Sequence, residues 1–167
     1  MTELSKKKSS YDIIIIGGGP AGLTAGIYTA RGRLSSLLIE RGLIGGLITE
    51  TELVENFPGF PQGVSGFELG ELMHQQAQKY GLPILVAEVT GLKLKGKQKI
   101  VETTEGSYSA RAVIIASGAI PTNNKLETAI PGIFAVGDVR ASSARQAVVA
   151  AGDGATAAIY AEKFLTG

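Results

Sequence analysis

Tyr11-Asp12-Ile13-Ile14-Ile15-Ile16-Gly17-Gly18-Gly19-Pro20-Ala21-Gly22-Leu23 decides the fold. Its opening run is short, unbroken and β-branched, the pattern of a strand buried on both faces of a parallel sheet, and the glycines that follow make a tight turn. From Pro20 the pattern changes to small and apolar residues at helical spacing, Ala21, Leu23, Ala25, Ile27, Tyr28 and Ala30, with proline near the start and Gly32 near the end. A strand over 11–16 and a helix over 20–33 are therefore predicted. A second buried strand over 36–40 closes a βαβ unit of about 30 residues, whose crossover should be right-handed.

In that context Gly17-x-Gly19-x-x-Gly22 carries chemistry. The backbone amides and the helix dipole can face a pyrophosphate, and the missing side chains let the phosphates approach. Glu40 ends the second strand, 18 residues after Gly22, where a carboxylate accepts hydrogen bonds from an adenosine ribose and repels a 2′-phosphate. FAD and NAD share this pattern, so the choice between them comes from the C-terminal motif Ile130-Pro131-Gly132-Ile133-Phe134-Ala135-Val136-Gly137-Asp138. Asp138 there ends a strand beside the start of a helix, where it can bond the hydroxyls of a ribityl chain. An NAD domain has no such need.

Further along, residues 42–66 hold six glycines and two prolines, too many breakers for a regular element, and read as an irregular stretch over the ligand face. A helix is predicted over 67–80, stopped by Gly81-Leu82-Pro83, and a buried strand over 84–87. Residues 89–110 alternate, with turn signals at Lys95-Gly96-Lys97 and Glu105-Gly106, as in an antiparallel meander of three short strands. Buried runs at 112–116 and 133–136 supply two more strands. An Ala-rich helix over 144–165 closes the chain, and its Gly152 and Gly154, each unfavourable by about 1 kcal/mol in a helix, mark tight packing against the first helix. The fold predicted is α/β and Rossmann-like in three layers. It has a parallel five-stranded sheet, helices on one face and a three-stranded antiparallel meander on the other.

Composition narrows the function. The chain has 167 residues, room for one sizeable core, and the domain is placed at 11–167 behind a flexible, Lys-rich tail at 1–10. Sixteen Lys and Arg against 15 Asp and Glu give no field that would draw nucleic acid or an anionic membrane. With no cysteine the chain has no thiolate metal site and no dithiol chemistry of its own, which fits a cytoplasmic protein. His74, the single histidine, falls on the mostly polar side of a helix and reads as a surface residue. No metal site and no catalytic side chain are assigned.

The chain resembles the thioredoxin reductases and their relatives among the two-dinucleotide-domain flavoprotein reductases. The marks are Gly17-Gly18-Gly19-Pro20-Ala21-Gly22, Gly45-Gly46-Leu47-Ile48-Thr49, Val54-Glu55-Asn56-Phe57-Pro58-Gly59, Ala116-Ser117-Gly118-Ala119, and Gly137-Asp138-Val139-Arg140 followed by Arg145-Gln146-Ala147. The resemblance implies that FAD is bound by Gly17, Gly19, Pro20, Ala21 and Gly22 of the first of these motifs, with Glu40 and Arg41. It implies that Gly45, Gly46, Leu47, Thr49 and Asn56 wrap the flavin side, and that the backbone at Glu88 and Val89 meets the adenine. Ala116, Ser117, Gly118, Gly137 and Asp138 complete the set. Arg145, Gln146 and Ala147 would open a helix aimed at the flavin pyrimidine, where reduced flavin is negative and a helix N-terminus favours negative charge.

Two departures stand out. Leu47 replaces the glutamine usual in that loop. In the family an entire NADPH-binding domain, bearing the Cys-x-x-Cys pair in thioredoxin reductases, is inserted before the Pro-Gly-Ile-Phe strand. Here only residues 119–130, twelve in all, fill the gap, and since even about 40 residues rarely fold unaided they read as a short bridge, as an engineered deletion would leave. The leading expectation is a redox-active FAD-binding module with no nicotinamide site of its own and no thioredoxin reductase activity. Two rivals are a small NAD(P)H-dependent flavin oxidase or reductase and a subunit that pairs with a separate nicotinamide domain. A homodimer fits either assignment.

Overall fold

The computed structural model describes residues 9–117, 120–141 and 143–167. The tail expected at 1–10 lies outside them except at its end, where Ser10 is already the first residue of a strand. The elements are β1 (Ser10–Ile16), α1 (Pro20–Arg31), β2 (Ser36–Glu40), α2 (Gly66–Lys79), β3 (Ile84–Val86), β4 (Val89–Lys95), β5 (Gln98–Thr103), β6 (Gly106–Ile115), β7 (Ile133–Ala135) and α3 (Ala147–Thr166). The first two helices follow their sequence signals. Pro20 stands at the start of α1 and Gly32 caps its end, while α2 is capped at its N-terminus by Ser65, whose hydroxyl accepts the Glu68 N–H at 3.1 Å.

Five strands run parallel in the order β3-β2-β1-β6-β7, which is the predicted parallel set in an α/β Rossmann-like fold. The predicted boundary between sheet and meander is corrected. Residues 106–110, expected as the last meander strand, and 112–115, expected as a separate parallel strand, are one ten-residue strand, β6. One stretch of β6 pairs antiparallel with β5 and the next pairs parallel with β7, while β1 runs beside both. Among the described residues the result is a single mixed sheet of seven strands.

The unbroken isoleucine run of β1 is explained by two cores. Successive strand residues point to opposite faces. Ile13 and Ile15 pack with Leu23, Ala25, Leu69 and Ala157 on the helix side, and Ile14 packs with Leu37, Ile39, Val101 and Tyr108 on the meander side. Each such side chain contributes about 1.5–3 kcal/mol by burial, so a polar residue at any of them would break the fold at its centre. Behind the sheet α1 and α3 lie very close: a Cβ on Gly154 would overlap Ala21 O. Gly152 does not share this role, because a Cβ there meets nothing within 4 Å.

The stretch expected to be irregular over 42–66 is so as far as Ser65, Gly66 being the first residue of α2, apart from a short 3-10 helix, Gly46–Glu50, and one antiparallel bridge between Val54 and Val64. The C-terminal helix starts at Ala147 rather than 144. Arg145 is left-handed (φ +52) and Gln146 extended, so the Ala-rich propensity is overridden for three residues. His74 is part-buried, its Nδ1 3.9 Å from Glu71 Oε2. Among the described residues no helix is long and apolar enough to cross a membrane.

Candidate functional site

All the parallel strands deliver their C-terminal ends to one edge of the sheet, and the assigned residues gather there. Gly17 takes φ +110, a conformation open to glycine, and turns the chain from β1 toward α1 directly against Ala116, whose carbonyl oxygen lies 3.1 Å from where a Cβ would stand. A Cβ on Gly22 would overlap Gly17 O, so the third glycine lets the helix sit on the turn. Gly19 is different: a Cβ there would meet nothing nearer than Gly45 O at 3.7 Å. Space therefore stands open before the turn, as a bound phosphate requires.

The first turn of α1 faces that space, and among the described residues no side chain caps its backbone donors. Gly19, the N-cap, has no side chain to accept from them, Pro20 has no N–H, and the turn carries no acid. Ala21 and Gly22 amides thus point outward beneath a positive dipole end, the arrangement that binds a pyrophosphate. By contrast α2, with its serine cap and Glu68 in the first turn, satisfies itself.

Beside the turn is a cleft of about 340 Å³ lined by Gly17, Glu40, Arg41, Glu88, Val89 and Ser117 together with Ile16, Ile39 and Ala87. Six residues assigned from the sequence thus meet in one place. Glu40 accepts the Gly18 N–H at 2.6 Å and the Gly42 N–H at 2.9 Å, which fixes its carboxylate while leaving acceptor capacity for ribose hydroxyls. Neither glycine was in the assigned set, although Gly18 lies inside the quoted motif. Glu88 has its backbone engaged by Thr104, donating to Oγ1 at 3.3 Å and accepting the Thr104 N–H at 3.0 Å.

At the other end Gly45 and Gly46 close on the fingerprint turn, with Gly45 N–H donating to Gly18 O at 2.8 Å. Thr49 Oγ1 donates to Gly46 O at 2.8 Å, and Leu47 is 80% exposed. Asn56 Nδ2 donates to Gln146 Oε1 at 3.0 Å, so two residues 90 apart in sequence meet at the start of α3. Its N-cap Gln146 does not cap, and its first turn is free of acids. Asp138 is exposed on a 3-10 turn, Gly137–Val139, and accepts from Ser143 Oγ at 3.2 Å, while Ser143 Oγ accepts the Arg145 N–H at 3.1 Å. Ser143 was not foreseen. Gly118 lies outside the described residues.

Along the C-terminal edge of the sheet the structure thus lines up a cleft with a fixed carboxylate, an open glycine turn at the start of α1, then a second carboxylate and the start of α3, which no side chain caps. The chain is 48% identical over 110 residues to a thioredoxin reductase of Bacillus subtilis, covering 65% of this chain and 34% of that one. It is 41% identical over 116 residues to a thioredoxin reductase of Mycolicibacterium smegmatis, covering 70% and 37%. The chain thus spans about a third of the length of these curated relatives. The crystal structure of a thioredoxin reductase from Streptococcus pyogenes superimposes with a TM-score of 0.92 at 22% identity, over 96% of this chain and 99% of the other, a likeness of fold. The family model for pyridine nucleotide-disulphide oxidoreductases matches residues 11–122. The chain belongs to that family, and the thioredoxin reductases it resembles within it are FAD-binding flavoproteins.

Proposed function

We propose that the chain is an FAD-holding module of thioredoxin-reductase type that carries a redox-active flavin without a nicotinamide site of its own. The observation that carries this reading is the open turn at Gly19 under the uncapped start of α1, next to a cleft closed by Glu40. The adenosine lies in the cleft, the pyrophosphate on the amides of Ala21 and Gly22, the ribityl chain against Asp138, and the flavin before α3 near Asn56 and Gln146. Bound FAD supplies the electron-carrying ring. The protein positions that ring and sets its electrostatics, since the start of α3 favours negative charge beside it.

Two features of the chain support the absence of a nicotinamide site. The sequence has a single glycine fingerprint, the stretch between Ser117 and β7 is short, and its described part from Ile120 folds onto the sheet. Ile120 N–H donates to Val139 O at 2.6 Å, Leu126 is buried, and Ala135 N–H donates to Leu126 O at 3.0 Å. In the family this is where the NADPH domain stands, so residues 119–130 act as its replacement, by engineered deletion. A cytoplasmic homodimer completes the reading; pairing would cover some of the exposed Leu43, Leu47, Leu53 and Phe67 side chains, and sedimentation gives the mass.

Anaerobic mixing with NADPH, with flavin bleaching followed, tests the proposal. Hydride transfer needs donor and acceptor held roughly 3–3.5 Å apart, positioning that can be worth about 7–11 kcal/mol of barrier. Slow bleaching, linear in NADPH, is expected, with prompt reduction by dithionite. Fast, saturable bleaching would reveal a nicotinamide site and make the chain a small NAD(P)H-dependent flavin reductase.

A further inference from the structure

The 3-10 turn Gly137–Val139, which carries Asp138, is gripped from three sides. From α3, Asp153 Oδ2 accepts the Gly137 N–H at 3.0 Å, and both its oxygens accept Arg140 Nη1 at 2.7 Å. From the segment before β7, Ile120 N–H donates to Val139 O, Ile120 O accepts the Ala141 N–H at 3.3 Å, and Thr122 Oγ1 accepts Arg140 Nε at 3.4 Å. From α1, Ala21 Cβ stands 3.0 Å from where a Cβ of the left-handed Gly137 (φ +71) would be, and Ala150 Cβ of α3 lies at 3.4 Å.

The Arg140 and Asp153 side chains are 19% and 12% exposed. That separates them from an ordinary surface ion pair, which is screened and holds little in place. A sheltered carboxylate bonded at once to a guanidinium and to a backbone amide has one geometry open to it. The fixed amide belongs to Gly137, the residue before Asp138. Asp138 itself is exposed and, among the described residues, accepts from the hydroxyl of Ser143 alone, at 3.2 Å, longer than a well-formed O–H···O bond and a poor restraint on its carboxylate. The direction comes from the turn, and the turn is held by Asp153.

We infer that the Arg140–Asp153 pair is a positioning device for the flavin end of the site: it holds the turn so that Asp138 meets the ribityl hydroxyls, and it ties the segment 120–122 to that turn. The inference rests on the placement of FAD proposed above. Neither side chain touches the cofactor in it; both act through Asp138.

Apoprotein titrated separately with FAD and with ADP provides the test, because ADP occupies the adenosine cleft without reaching Asp138. Asp153→Asn and Arg140→Gln should weaken FAD about tenfold while ADP affinity stays within about twofold. Arg140→Lys, which keeps the charge and a donor, should restore most of the FAD affinity. Asp153→Asn added to Asp138→Ala should weaken FAD no further than Asp138→Ala alone, the mark of two residues acting through one contact. Should Asp153→Asn fail to fold, Arg140→Gln gives the same comparison, since it removes the guanidinium that fixes the Asp153 carboxylate while leaving that carboxylate in place to support the fold. Equal losses of FAD and ADP, or additive losses in the double variant, would show a general structural role and overturn the inference. Loss of FAD in Asp138→Ala with wild-type affinity in both Asp153→Asn and Arg140→Gln would overturn it too, leaving the placement of FAD standing. Wild-type affinity in Asp138→Ala would overturn the placement itself.

Discussion

Glu40 and Asp138 stand at or just past the ends of two parallel strands, one at each end of the cradle, yet they are held in different ways. Glu40 is half-buried and accepts two backbone amides, from Gly18 at 2.6 Å and Gly42 at 2.9 Å. Asp138 is exposed and, among the described residues, accepts from one side chain, Ser143. On the proposed placement of FAD, the adenosine end is organised by the fold before a ligand arrives, and its carboxylate would serve stability as well as binding. At the flavin end the side chains would serve the ligand, while the backbone beneath them is fixed by residues placed away from it.

The largest effect expected on this contrast is at Gly22. Gly22→Val would drive a branched side chain into Gly17 O and should destabilise the apoprotein by about 3 kcal/mol or more, read as lost cooperative melting. Gly19→Val, three residues away, faces open space and should leave melting of the apoprotein nearly unchanged while lowering FAD affinity more than about a hundredfold, or ~2.7 kcal/mol. A Gly19→Val protein that binds FAD normally would place the pyrophosphate elsewhere.

Glu40→Ala should act on both quantities. Losing a carboxylate that accepts two amides should lower apoprotein stability by about 1–3 kcal/mol and weaken both FAD and ADP by about 1.5–3 kcal/mol. Asp138→Ala should weaken FAD by a similar amount and leave ADP affinity alone, with apoprotein stability changed by less than about 0.5 kcal/mol. Equal effects of the two variants on apoprotein melting would erase the contrast. Asn56→Ala should have the smallest effect, since its bond to Gln146 is exposed: about 0.5–1.5 kcal/mol of FAD binding, measured by fluorescence titration.

Much of this was legible in the sequence, and the misses have physical causes. The β-branched run, the glycines and the acid at the end of β2 specify a strand, a turn and a carboxylate beside that turn through local geometry, so this part of the structure could be read residue by residue. The join within β6 was hidden by Arg111, a charged residue between apolar ones that looks like a boundary. In the structure it bonds outward, to Asp12 Oδ1 at 3.3 Å and Leu165 O at 2.7 Å, while the strand continues. The late start of α3 was hidden by alanine propensity, because nothing local announces that Arg145 is left-handed. Ser143 and Asp153 were missed because their roles depend on contacts set by tertiary packing. A lone acid between two glycines in an Ala-rich helix was the one available signal for Asp153.

The placement of one dinucleotide across both ends is tested most directly by competitive binding to the apoprotein, with FAD fluorescence followed as ADP or FMN is added to wild type and to the Glu40→Ala and Asp138→Ala variants. The predicted result is that ADP displaces FAD from wild type, that Glu40→Ala weakens ADP and FAD together, and that Asp138→Ala weakens FAD alone. Displacement by FMN but not by ADP, or wild-type FAD affinity in both variants, would contradict it.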